Sequence, residues 1–136
     1  MRPASLILLL ALSACAAHRP APASGPEAAG GTVTVTLSNF AYDPENLRLR
    51  AGVPVRLRLV NESDGGHDFK SPGFFAASTF PAGTSPPPGG AVDVGAGSTV
   101  ELALVPGVPG TYPVTCTHFL HSAFGMTGTV EIVAAP

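Results

Sequence analysis

The chain has 136 residues, 45% of them hydrophobic and 7% aromatic, with 16 glycines, 15 prolines and a formal net charge of −2. That length leaves room for one domain once a targeting segment is removed, and so much Gly and Pro excludes a helix-dominated fold in favour of an all-β domain with many turns. From residue 30 onward five Lys and Arg stand against eight Asp and Glu, a net −3, which excludes the basic face that nucleic-acid binding requires.

Residues 1–14 carry one positive charge at Arg2, an apolar run from Leu6 to Leu12 and small residues at Ser13 and Ala14. This is the pattern of a secretory signal, too short to span a bilayer as a mature helix. The stretch Leu12-Ser13-Ala14-Cys15 resembles the bacterial lipobox, in which cleavage precedes the cysteine and its thiol is acylated. Several acyl chains would anchor the protein stably, where one gives only marginal binding. An ordinary secretory signal with an incidental Cys15 is the plainer alternative. Ala16 stands where an Asp would favour inner-membrane retention, so the resemblance implies a periplasmic protein anchored by lipid to the cell envelope, at the outer membrane. Residues 16–31 are rich in Ala, Pro, Ser and Gly with no apolar period, the composition of a tether. The expected organisation is a lipoprotein signal peptide over 1–14, a lipidated tether over 15–31 and a folded domain over 32–136.

From Thr32 the sequence Thr-Val-Thr-Val-Thr-Leu-Ser alternates strictly, with Val33, Val35 and Leu37 on one face, and predicts a half-buried strand. Leu47-Arg48-Leu49-Arg50 and Val55-Arg56-Leu57-Arg58-Leu59 repeat the alternation around an Ala51-Gly52-Val53-Pro54 turn. The four arginines then face water, as on the outer face of a sandwich. Residues 71–97 are irregular, with a candidate helical turn at 74–78 and a Pro/Gly loop at 81–90. Alternation returns at 98–105, 111–116 and 129–133. Six or more strands without a long helix predict a two-sheet antiparallel sandwich with Greek-key connections.

The only cysteines are Cys15 and Cys116. A disulfide between them is one reading in an oxidising compartment. Acylation of Cys15 precludes it and leaves Cys116 an unpaired thiol that must be buried or employed. Cys116 opens the run Cys-Thr-His-Phe-Leu-His-Ser-Ala-Phe-Gly-Met, which places His121 and Met126 in the same loop between two predicted strands, while His67 follows Gly65-Gly66 far upstream. A thiolate and two imidazoles with a long axial thioether make the ligand set of a blue-copper centre. Each residue has a quieter reading: His67 as a surface loop residue, Met126 as core packing, Cys116 as a buried apolar thiol. Their conjunction is what points to a metal. Zinc also accepts Cys and His, but the soft thioether of Met126 suits copper and offers zinc little.

The run Gly110-Thr111-Tyr112-Pro113-Val114-Thr115-Cys116, followed by His121, Met126 and Thr127-Gly128-Thr129-Val130, resembles the ligand loop of the cupredoxins, the azurin, plastocyanin and pseudoazurin group. Asn39-Phe40-Ala41-Tyr42-Asp43-Pro44 with Leu47, Leu49, Ala51-Gly52 and Asn61 resembles their amino-terminal half. The resemblance implies a cupredoxin-like copper-binding domain with one type 1 copper ion, His67, Cys116 and His121 as equatorial ligands and Met126 as the axial one. It also implies that His121 lies nearest the surface and passes the electron. Two positions depart from the pattern. Asp68 follows the first histidine where the family has Asn, so the hydrogen bond joining the two ligand segments should differ, and a carboxylate there should favour Cu(II) unless it points outward. His118 lies inside the loop and is a competitor of His121, although the Cys116-to-His121 spacing matches the family.

The function expected is a single-electron carrier, with sequestration or delivery of copper for tolerance or oxidase assembly as the alternative and a metal-free binding sandwich as a third reading. An enzyme is not expected. Copper oxidases need further histidine-rich centres, and beyond His67 and His121 only His18 and His118 remain. Partners would be redox or copper-exchange proteins, meeting a monomer at an apolar surface around His121 to which Phe119, Leu120, Phe124 and Phe74 are candidates, with ordinary core packing as their quieter reading. The membrane is a partner only through the lipid anchor at Cys15.

Overall fold

The computed structural model describes residues 30–136. The expected signal peptide, the acylation at Cys15 and the tether up to residue 29 lie outside the described residues. Ten strands and one short helix follow in chain order: β1 (Gly31–Ser38), β2 (Ala41–Asp43), β3 (Asn46–Arg50), β4 (Val55–Asn61), β5 (His67–Lys70), α1 (Pro72–Ala76), β6 (Ser78–Thr79), β7 (Ala91–Val94), β8 (Thr99–Pro106), β9 (Gly110–Thr115) and β10 (Thr127–Val133).

The period-two pattern decides which faces meet. Val33, Val35 and Leu37 of β1, Leu47 and Leu49 of β3, Val55, Leu57 and Leu59 of β4, and Val130 and Ile132 of β10 all point inward and form one core. Burial of each such side chain is worth about 1.5–3 kcal/mol. The strands lie in two sheets, ordered β2-β1-β4-β8-β6 and β3-β10-β9-β5-β7, so the chain is the two-sheet sandwich its alternation predicts. Within it the β1–β4 and β3–β10 pairs run parallel and the others antiparallel. β1 and β4 can pair this way because β3, between them in sequence, belongs to the opposite sheet, and the chain returns from it pointing in its original direction.

The arginines take the outer faces. Arg56 and Arg58 approach Glu101 across β4 and β8 at 3.3 and 3.8 Å, and Arg48 approaches Glu131 across β3 and β10 at 3.4 Å. The solvated Arg56 and Arg58 pairs contribute about 0–1 kcal/mol each. They give a neutralised surface rather than a basic patch.

The middle of the chain is more ordered than its composition suggests. The helical turn begins at Pro72, whose missing N–H costs nothing at a helix start. It turns Phe74 and Phe75 fully inward, where Phe75 meets the Phe69 ring at 6.1 Å. Phe74 is therefore core and does not belong to a surface around His121, a correction to the sequence-based expectation. The turn is clamped from both sides: the Ser71 hydroxyl donates to the Pro113 carbonyl at 2.8 Å and the Ser71 N–H to the Gly90 carbonyl at 2.9 Å. Gly90 itself has φ +66°, and a Cβ there would run into Pro72, so no other residue fits.

This frame positions the chemistry. β5 lies between β7 and β9, and Lys70 pairs with Thr115 in an antiparallel register. His67, at the other end of β5, therefore lies beside the first residues of the loop that follows β9.

Candidate metal centre

Cys116 to Met126 form the connection between β9 and β10. The loop is closed by its own backbone: the Cys116 N–H donates to the Met126 carbonyl at 3.2 Å and the Met126 N–H to the His121 carbonyl at 2.9 Å. First, middle and last positions are thereby drawn together. Leu120 supports the reversal with φ +62°, a conformation uncommon outside glycine, and it stands immediately before His121.

The loop and β5 bring His67, Cys116 and His121 to one point, the only such group of His, Cys, Asp and Glu among the described residues. The two histidine Nδ1 atoms are 3.1 Å apart, and Cys116 Sγ is 3.4 Å from Nδ1 of His121 and 4.0 Å from Nδ1 of His67. In the plane of these atoms the equidistant point lies about 2.1 Å from each, the length of a bond from imidazole nitrogen to a first-row metal and a little short of the roughly 2.3 Å of a thiolate sulfur. The donor set, one sulfur and two imidazoles in a trigonal arrangement, is that of copper in an electron-transfer site. The residues fit the ion.

Burial grades the members. Cys116, Met126 and His67 are buried, whereas His121 is only partly covered. Burial pushes the Cys116 thiol up, and the nearby backbone N–H groups of Asp68 and His118 work in the opposite direction. His67 is held below the usual imidazole range by burial first, then by the neighbouring rings of His121 and His118. Both effects keep the unloaded pair neutral, as thiol and imidazole.

Asp68 points inward. Its carboxylate accepts hydrogen bonds from Thr117 and lies against the Cys116 thiol. Burial alone would raise its pKa, but the Thr117 side chain and backbone N–H outweigh this and hold it below the usual carboxylate range. The buried Tyr42 hydroxyl donates to the Asp68 carbonyl at 2.6 Å and is pushed well above its ordinary pKa, chiefly by burial. His118, the competitor within the loop, is exposed and stays outside the converging group. Its ring lies nearly parallel to that of His121, with centroids 5.6 Å apart at 22°.

A feature not read from the sequence is Phe40. It sits between β1 and β2 at φ +64° and sets its ring edge-on to His121 at 5.3 Å and against Phe124 at 5.4 Å. Phe40, Phe119, Leu120 and Phe124 are all exposed, Phe119 to 87%. Together they make an apolar surface at the His121 edge, which a solvated loop does not ordinarily present.

A family model described as a cupredoxin-like domain matches residues 4–132. None of the curated proteins matches the chain. Among solved structures it is similar to auracyanin B, with 26% sequence identity and a TM-score of 0.58 over 80% of this chain and 93% of that one. It is also similar in fold to the sodium-dithionite-reduced auracyanin of the photosynthetic bacterium Roseiflexus castenholzii, with 22% identity and a TM-score of 0.59 over 80% of this chain and all (100%) of that one.

Proposed function

The chain belongs to the cupredoxin-like domain family, and from that premise we propose that it is a single-electron carrier of a bacterial cell envelope, built around one copper ion. The observation that carries the reading is the convergence of His67 Nδ1, Cys116 Sγ and His121 Nδ1. These three would hold the ion, and the buried Met126, tied by its backbone to His121 and Cys116, would add its soft thioether. Bound copper supplies a couple that changes by one charge between Cu(I) and Cu(II).

The chain's own residues suit that couple. His67 and Cys116 sit on or beside paired strands and Asp68 joins the two segments through Thr117, so the donors keep their places whichever charge they surround. A site that does not rearrange exchanges electrons with little reorganisation. His121 is the member nearest solvent, and the phenylalanines beside it exclude water from a contact with a redox protein. After these ligands are assigned, His18 and His118 are the remaining histidines of the sequence, too few for the added copper centres of an oxidase. The reading is therefore of a carrier and not an enzyme, a monomer that meets its partners at the His121 edge.

The location rests on the sequence of residues 1–15: an apolar run, then Leu12-Ser13-Ala14-Cys15, the arrangement for export and acylation. The same tether would serve a protein that stores or delivers copper, for which the exposed His118 beside His121 is the specific support. Measured exchange separates the two. A carrier shows fast electron self-exchange and slow copper loss to a chelator, and a delivery protein shows the reverse.

A further inference from the structure

Behind His67, on the side away from Cys116, runs a hydrogen-bond chain whose directions favour one tautomer of its ring. The Asn61 amide nitrogen faces three carbonyls, of Gly65 at 2.8 Å, Val94 at 2.9 Å and Gly95 at 3.1 Å. Carbonyls only accept, so this atom is the NH2 group and the opposite one is the carbonyl oxygen. That oxygen receives the Ser63 backbone N–H at 3.0 Å and the Ser63 hydroxyl at 2.8 Å. Ser63 has one hydroxyl proton, and besides Asn61 Oδ1 the Gly65 carbonyl at 3.0 Å is a second oxygen acceptor for it. Either way the proton is spent on an atom that cannot donate.

Ser63 Oγ also accepts from the Gly65 N–H at 3.4 Å, and it lies 2.9 Å from His67 Nε2. The hydroxyl could also donate to a bare Nε2, but the shortest contact of Oγ is to Asn61 Oδ1; with the proton there the serine accepts from Nε2, which carries the ring proton. A neutral imidazole has one such proton, and Nδ1 is then a bare lone pair aimed at Cys116 and His121. The contact on that other side cannot make this choice: the two Nδ1 atoms, 3.1 Å apart, form an equally good bond whichever of them donates.

We propose that Ser63 is a positioning residue that fixes His67 in its Nε2–H tautomer and in one ring orientation, and so presents Nδ1 as a ligand before any metal arrives. Asn61 is the support that spends the serine's proton. It is buried and holds the chain from Asn61 to Gly65 to the β7–β8 turn, which the Ser63 carbonyl also joins by accepting from Gly97 at 3.1 Å. The ligand's orientation is thus referred to the sheet through a loop with an otherwise unremarked serine.

The inference rests on copper binding for its consequence but not for its tautomer, and the test separates the two. In the copper-free full chain, nitrogen-15 NMR of the histidine rings should show His67 solely as Nε2–H, and Ser63→Ala should introduce the Nδ1–H form. Competition with a Cu(I) chelator should show Ser63→Ala holding copper about 10–100-fold less tightly, with Ser63→Thr, which keeps the hydroxyl, restoring both signals. An Nδ1–H tautomer in the wild-type chain overturns the proposal without any variant. So does Ser63→Ala that keeps a pure Nε2–H signal and binds copper within threefold of wild type. A wild-type chain that took up no copper would instead strike the functional reading, and the tautomer signals would still decide for or against Ser63.

Discussion

Asp68 and Thr117 are joined by two hydrogen bonds, from the Thr117 N–H at 2.5 Å to one carboxylate oxygen and from its hydroxyl at 2.6 Å to the other. The pair couples β5 to the first residue after Cys116, so the segment bearing one histidine and the loop bearing the sulfur and the other histidine move together. It also places a negative charge beside the Cys116 sulfur.

That charge should depress the reduction potential, because Cu(II) gains more than Cu(I) from an anion held in a poorly solvated place. In Asp68→Asn the side-chain oxygen still accepts from the Thr117 N–H and the new NH2 donates to its hydroxyl, so the join survives while the charge is lost. Voltammetry should find the potential raised by on the order of tens of millivolts, with the visible spectrum little changed. A potential that stays or falls would show the carboxylate to be protonated or screened.

Stability of the copper-free protein should fall toward acid in two stages. His67 has a folded pKa below its unfolded one, through burial and then the His121 and His118 rings. The unfolded chain therefore takes up its proton first, and stability declines once the pH drops below about 6.5. Asp68 is also depressed in the fold, its Thr117 bonds overcoming burial. Its contribution is complete above about pH 4 and is lost as pH falls through the folded value. Melting temperatures measured from pH 8 to pH 3 should be flat at first and then drop; a rise between pH 7 and 5 would contradict this.

Substitution should separate the two loop histidines. His118 is exposed and outside the converging group, so His118→Ala should keep the thiolate-to-copper absorption of the wild type. His121→Ala should weaken or shift it and open the site to small ligands such as added imidazole. Equal spectra for the two variants would mean that His118 substitutes for His121.

The apolar surface can be tested without touching a ligand. Phe119 is 87% and Phe124 65% exposed, so Phe119→Ser and Phe124→Ser should leave stability within about 0.5 kcal/mol. If that surface receives redox partners, electron self-exchange should slow several-fold in the double variant. An unchanged rate would move the docking site elsewhere.

The sandwich was legible because each long strand carries an undisturbed period of two, as in Val33-Val35-Leu37, and many half-apolar strands without a long helix must bury their apolar faces against one another. Cys116, His121 and Met126 were legible because their spacing within one loop is local. His67 was legible only as a candidate, through its conjunction with Cys116, His121 and Met126 and then through the family resemblance, since sequence alone does not say that β5 lies beside β9. The contributions of Phe40 and Ser63 were not legible. Phe40 reaches His121 across the fold from a turn whose positive φ leaves no mark at a non-glycine residue, and Ser63 is one polar residue among several in Asn61-Glu62-Ser63-Asp64. Phe74 was misplaced for a related reason: one turn of helix has too few residues for its pattern to show which face is buried.

The central claim is that Cys116 and His67, brought from distant parts of the chain, bind the same copper ion. Visible absorption and electron-spin resonance of the copper-loaded protein test it most directly. An intense thiolate-to-copper band with the narrow copper hyperfine splitting of a trigonal site is expected, lost in Cys116→Ser and altered in His67→Ala. Stoichiometric copper with no such band, or a band indifferent to Cys116→Ser, would contradict it.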